Sequence, residues 1–134
     1  MPKSRVLVAD DNSAVLHLIS GLIGNQFEIV GVVQDGAAVL RDWLGLCPDV
    51  IVLDIAMGEP NGIEVARRLR HSGCTASVVF LTVYDDPEFV SAAMAAGASG
   101  YVTKSRASID LLTAIRAVLA GSTFTSANIS GARE

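Results

Sequence analysis

Four short hydrophobic runs, each followed at once by polar residues or ending in one, limit what this chain can fold into. The runs are Val6-Leu7-Val8-Ala9, Val50-Ile51-Val52-Leu53, Val78-Val79-Phe80-Leu81 and Tyr101-Val102-Thr103. Asp10-Asp11, Asp54, Thr82 and Lys104 follow them in turn. Short continuous apolar runs of this kind read as strands buried on both faces, the habit of parallel sheets. In an open parallel sheet the carboxyl ends of the strands converge on one crevice. Three carboxylates, one hydroxyl and one ammonium are therefore expected to meet there. That set suits a divalent cation and a phosphoryl group.

The rest of the chain alternates to match. Strands are expected near Arg5–Ala9, Glu28–Val33, Val50–Asp54, Ser77–Thr82 and Ser99–Val102. The first helix is expected from Asn12 or Ser13 to Gly24, with Val15, Leu16, Leu18, Ile19, Leu22 and Ile23 as its apolar stripe. The second covers Ala37–Leu46 and carries Trp43. The third opens at Asn61 with Glu64 at capping-box spacing, and Arg67, Arg68 and Arg70 suit its negative end. The fourth opens as Asp86-Pro87-Glu88, a capping carboxylate before Pro at the first helical position. The fifth is expected to open at Ser108, with Asp110 in its first turn, and to stop at Gly121. Five strands alternating with five helices predict an α/β fold, a parallel sheet covered on both faces with right-handed crossovers. Residues 1–121 form that domain, and the Ser-, Gly- and Ala-rich stretch 122–134 reads as a linker or a cut end.

Bulk properties narrow the function. The chain has 134 residues, enough for one domain with a sizeable core, and its 51% hydrophobic but only 5% aromatic content predicts an aliphatic one. A net charge of −4 argues against this chain itself gripping nucleic acid, which calls for a clustered positive face. Cys47 and Cys74 stand apart from any CxxC or His cluster, so both are expected as small buried residues in a reducing cytoplasm. The apolar run after Met1-Pro2-Lys3-Ser4-Arg5 is too short for a signal segment or membrane span. A cytoplasmic chain that does not enter the membrane is the expectation.

Each polar strand-end residue has a plain structural reading as well. One of Asp10 and Asp11 could cap the first helix, Asp54 could be a turn residue, Thr82 suits a strand, and most lysines are solvated. Together they favour chemistry. Adjacent carboxylates repel unless a cation or water solvates them, and oxygen-only ligands point to Mg²⁺ or a similar ion held partly by water. Asp54 could then attack phosphorus as a nucleophile. The Pro- and Gly-containing loop Ile55–Gly62 could turn backbone N–H groups toward the phosphoryl oxygens, and Lys104 would bind phosphate as a point charge. Tyr101 reads as packing, or as a ring that moves between exposed and buried positions. His17 and His71 are expected on the surface without a role.

These residues, in this order and at these gaps, resemble the receiver domain of bacterial two-component response regulators. The likeness runs from about Lys3 to Gly121. It is carried by Val6–Asn12, Asp49–Met57, Asn61-Gly62, Leu81-Thr82 and Gly97–Lys104. The segments Gly100–Ser105 and Ile115–Gly121 further resemble the NarL/FixJ-like subgroup, whose members carry a C-terminal helix-turn-helix. The resemblance implies a (βα)5 flavodoxin-like sheet of order 2-1-3-4-5. It implies that Asp54 accepts a phosphoryl group from a sensor histidine kinase. Asp11, Asp54 and the Ala56 carbonyl would hold Mg²⁺ directly, and Asp10 largely through water. Lys104 would pair with Asp54, Thr82 would swing to the phosphoryl group, and Tyr101 would turn inward behind it. The fourth helix, fifth strand and fifth helix would then meet a partner or a second copy, giving a homodimer on phosphorylation. DNA would be reached only through a C-terminal domain outside this chain. Such a protein is no conventional enzyme, although it catalyses its own phosphorylation and slow dephosphorylation. Three positions depart from the family's habit: Gly58 stands where Pro is common, Val83 where a small residue is usual, and Ser105 where Pro follows the lysine. Without that Pro a trans Lys104–Ser105 peptide is expected. A pseudo-receiver that only binds a partner is the alternative. A dehalogenase-type hydrolase fits less well, because Ala56 stands where its second Asp belongs.

Overall fold

The chain is described here from a computed structural model, which covers residues 3–127 and 129. Six parallel strands form one sheet in the order β2-β1-β3-β4-β5-β6. They are β1 (Arg5–Ala9), β2 (Glu28–Val33), β3 (Val50–Leu53), β4 (Ser77–Thr82), β5 (Gly100–Thr103) and β6 (Phe124–Thr125). The helices are α1 (Ser13–Ile23), α2 (Gly36–Leu46), α3 (Gly62–His71), α4 (Pro87–Ala95) and α5 (Ala107–Leu119). The first five strands take the expected order 2-1-3-4-5. The sixth falls in the stretch that reads as a linker, where a two-residue strand has no periodicity to betray it.

Strand alternation sorts the core into two layers. Leu7, Ala9, Ile51, Leu53, Phe80 and Tyr101 point to one face and pack with residues of α2, α3 and α4. Val6, Val8, Val50, Val52, Val79, Leu81 and Val102 point to the other and pack with α1 and α5. Both faces are covered, which is why Val6–Ala9 of β1, the whole of β3 and Val78–Leu81 of β4 are apolar without alternation.

The helix ends follow local chemistry, with three corrections. Asn12 caps α1, its Oδ1 accepting from the Ala14 and Val15 N–H groups at 2.9 and 3.2 Å, so neither Asp10 nor Asp11 is the cap. Asn61 caps α3 by accepting from the Glu64 N–H at 3.0 Å, but the Glu64 carboxylate pairs with Arg67 and Arg68 instead of closing the box. Asp86 precedes Pro87 as expected, yet its side chain makes no capping bond; its backbone carbonyl closes the first turn with Phe89 N–H at 3.1 Å. The Cys74 thiol is buried, and burial pushes its pKa up. Cys47 is exposed, contrary to expectation, because it ends α2 in the left-handed conformation at φ 49°. Trp43 packs from α2 onto the first layer.

Candidate functional site

The crossovers deliver the polar strand ends to one edge of the sheet. Asp10 follows β1, and its N–H donates to the Val33 carbonyl at 3.1 Å. Asp54 follows β3, and its N–H donates to the Ala9 carbonyl at 3.1 Å, so the two acids sit side by side on adjacent strands. Lys104 opens a short 3-10 turn (Lys104–Arg106) directly after β5. Its ammonium reaches across β4 to both acids. Nζ lies 2.9 Å from Asp10 Oδ2 and 3.0 Å from Asp54 Oδ2.

Burial sets the electrostatics. Asp10 and Asp54 are 1% and 3% exposed. Burial, the largest influence on Asp10, pushes its carboxyl above the usual range; the Lys104 ammonium and the Asn12 N–H offset only part of that. Burial pulls the Lys104 ammonium down, but its contacts with Asp10 and Asp54 more than compensate and hold its pKa above the ordinary lysine value. The two buried carboxylates thus share a single, partly buried cation.

Asp11 is exposed beside them. Asp10, Asp11 and Asp54 each offer a carboxylate oxygen within 4.8 Å of the others. Asp10 Oδ2 is buried and accepts no hydrogen bond, although the Lys104 ammonium faces it as an ion pair. Three carboxylates in one all-oxygen cluster, with a single ammonium to offset them, fit a hard divalent cation.

The loop after Asp54 closes over it from the α3 side. The Ala56 N–H donates to Asp54 Oδ1 at 3.3 Å, and the Gly62 N–H donates to the Ile55 carbonyl at 2.8 Å. Gly58 takes φ +79°, and Glu59–Pro60 is cis, while Lys104–Ser105 is trans as expected. Gly62 lies against the Asp54 backbone so closely that no Cβ fits there. The sequence pattern contains Asn61-Gly62, but only the packing shows why the glycine is needed.

Thr82 and Tyr101 complete the surroundings. Thr82 ends β4, is fully buried, and its Oγ1 accepts from the Tyr84 N–H at 3.4 Å. Tyr101 is also fully buried, in the inward position, and its hydroxyl donates to the Tyr84 carbonyl at 2.8 Å. Burial is the main cause that drives its phenol well above the usual range. Tyr84 stacks on Phe89, with centroids 4.3 Å apart. Val83 is 65% exposed, outside the packed core. His17 and His71 lie on the surface. Among the described residues no helix is long and apolar enough to cross a membrane.

Sequence reasoning missed one group altogether. Asp110 of α5 is buried, where it accepts from Arg106 Nε and Ser126 Oγ, each at 2.8 Å. An acid in the first turn of a helix reads as a dipole partner, and nothing in the spacing ties it to Ser126.

Comparison with known proteins agrees with this geometry. The response regulator receiver domain family matches residues 6–116. The chain is 34% identical over 128 residues to the response regulator GacA of Pseudomonas viridiflava, covering 94% of this chain and 60% of that protein. It is 32% identical to a two-component response regulator of the LuxR family from Aurantimonas sp. SI85-9A1, with a TM-score of 0.90 over 95% of this chain and 92% of the other. The isolated REC domain of RcsB from Salmonella enterica, solved with phosphomimetic BeF3⁻, is 27% identical with a TM-score of 0.87 over 96% of each chain. The chain spans about 60% of the length of the curated relatives it matches first. A chain whose parallel sheet gathers two buried acids, an exposed acid and a bridging lysine at its strand ends, and which this family matches over residues 6–116, belongs to the response regulator receiver domain family.

Proposed function

We propose that this domain is a phosphoryl-accepting switch of a two-component system, with Asp54 as the acceptor. The observation that carries the reading is Lys104 Nζ bridging Asp10 and Asp54 at 2.9 and 3.0 Å. A carboxylate held by an ammonium at a buried strand end is oriented for attack on phosphorus, and the same ammonium then faces the charge gained. Asp11, Asp54 and the Ala56 carbonyl would hold Mg²⁺, with Asp10 acting largely through water. The ion, when bound, supplies the positive charge that offsets repulsion between the acids and an incoming phosphoryl group.

The chain's own residues do the rest. Lys104 holds Asp54 Oδ2 in place, leaving Oδ1 for attack. The Ala56 N–H stands beside Oδ1 to meet a phosphoryl oxygen. Thr82 Oγ1 exchanges its weak 3.4 Å bond from Tyr84 N–H for one to the phosphoryl group, and Tyr101 behind it keeps that arrangement packed. The population shift passes to the surface of α4, β5 and α5. The donor is a phosphohistidine of a sensor histidine kinase, whose P–N bond breaks and whose imidazole leaves as the Asp54 O–P bond forms; this domain lies in the cytoplasm, and its modified form pairs as a homodimer. The output is a DNA-binding domain C-terminal to this one, as the length and LuxR-family character of the relatives support. The domain catalyses its own phosphorylation and slow dephosphorylation and turns over no other substrate.

Calorimetric titration with beryllofluoride, a phosphoryl mimic, tests the reading. One equivalent should bind in the presence of Mg²⁺, none after chelation, and none to Asp54→Asn. Absence of binding to the folded wild-type chain with Mg²⁺ would favour a pseudo-receiver that only docks a partner.

A further inference from the structure

The turn that carries Lys104 is gripped from both ends by a network outside the phosphoryl site. Beyond α5 the chain returns along β5. The Phe124 N–H donates to the Ser99 carbonyl at 3.0 Å, and the Ser126 N–H donates to the Tyr101 carbonyl at 2.9 Å. The ladder then continues through a side chain: the Thr103 N–H donates to Ser126 Oγ at 3.2 Å. That hydroxyl in turn donates a hydrogen bond to Asp110 Oδ2 at 2.8 Å. Asp110 also takes Arg106 Nε at 2.8 Å and Nη2 at 3.4 Å. Thr103 and Arg106 are the residues that bracket Lys104-Ser105. The chain lacks a proline after Lys104 to stiffen this turn.

The network is built rather than incidental. Ser126 is 2% exposed, Thr103 2% and Asp110 7%. Burial acts to raise the Asp110 carboxyl, but the bonds from Arg106 and Ser126 hold it below the usual range. Ile129 anchors the same segment, 3% exposed in the layer that contains Tyr101. A buried carboxylate that takes bonds from both a tail hydroxyl and the arginine of the turn fixes the distance between the two ends of that turn.

We propose that Ser126 and Asp110 are positioning residues for Lys104: the hydroxyl and carboxylate clamp the flanks of its turn so that the ammonium reaches Asp10 and Asp54. The inference rests on the reading of Asp54 as the phosphoryl acceptor for its functional meaning, but its physical content is the placement of Lys104. The segment after α5 thereby sets the lysine of the site, so losing the Ser126 contact lowers phosphoryl uptake.

The test exploits composition, since Lys3 and Lys104 are the only lysines. The chain is labelled with lysine carrying ¹³C at Cε and ¹⁵N at Nζ, and NMR reads the two side chains separately in wild type, Ser126→Ala and Asp110→Asn. Thermal midpoints and the amide spectrum of β1 and β3 check the fold. The expected result is a Lys104 signal that moves toward the Lys3 signal in both variants while the fold check holds. The rate of phosphorylation by acetyl phosphate should fall roughly 10-fold, against the ~100-fold that a misplacement of about 1 Å can bring. The double variant should be no worse than the more affected single one. A Lys104 signal that stays at its wild-type position in either folded variant overturns the proposal; should one variant not fold, the other decides. A wild-type chain that takes no phosphoryl group, with Lys104 still displaced in the variants, removes the acceptor reading and leaves the positioning intact.

Discussion

Gly62→Ala sets two effects against each other with opposite signs. Gly62 is the first residue of α3, and its φ is one that any residue can adopt. On propensity alone, alanine in a helix gains up to about 1 kcal/mol over glycine. Packing says the reverse. A Cβ at Gly62 would lie 2.9 Å from the Asp54 carbonyl carbon and 2.9 Å from the Ile55 Cα, with the Asp54 carbonyl oxygen closer still. Ordinary contacts begin at 3.4 Å, and these neighbours are backbone, so relief needs a shift of α3 or of the Asp54 strand end. Overpacking costs about 1–3 kcal/mol, and a rigid neighbour puts this case at the upper end. Less the propensity gain, a net loss of about 2 kcal/mol follows. For a domain of this size that lowers Tm by roughly 6–10 °C. Gly21 in α1 and Gly45 in α2 are controls, because a Cβ at either meets nothing within 4 Å. Gly21→Ala and Gly45→Ala should each gain about 0.5–1 kcal/mol and raise Tm. Thermal unfolding followed by circular dichroism reads all three. A Gly62→Ala chain as stable as wild type, or more so, would refute the close approach beneath Asp54.

Lys104→Met leaves Asp10 and Asp54 without their shared cation; in metal-free buffer it should lose up to about 3 kcal/mol by urea unfolding, and Mg²⁺ should restore part of this through the acid cluster. An unchanged urea midpoint would contradict the bridging contact. Asp110 titrates lower in the folded chain than unfolded, so its contribution to stability is present above the usual Asp value of about 3.9 and is lost as pH falls through the lower folded value. Urea midpoints followed from neutral pH into that acid range should therefore fall less steeply for Asp110→Asn than for wild type; parallel curves would contradict the Arg106 and Ser126 contacts.

Much of this was legible because it is written in periodicity. The runs Val6–Ala9 and Val50–Leu53 are apolar at every position, and that alone predicts strands covered twice. The meeting of Asp10, Asp54 and Lys104 follows from the rule that parallel strands present one common end. What escaped the sequence depends on distance in space without a local signature. Cys47 reads as a buried small residue, and a helix end in a left-handed turn puts it on the surface. Glu64 has the spacing of a capping box, but Arg67 and Arg68 one turn on compete for its carboxylate. The grip of Ser126 on Thr103 and Asp110 joins residues 16 and 23 positions apart. A two-residue strand in a Ser- and Gly-rich tail announces none of it.

The measurement closest to the central claim is the intact mass of the chain after incubation with acetyl phosphate and Mg²⁺. Wild type should gain one phosphoryl group, and Asp54→Asn, or wild type with Mg²⁺ chelated, should gain none. A folded wild-type chain that stays unmodified while another receiver domain in the same tube is phosphorylated, or a gain that survives in Asp54→Asn, would contradict the account.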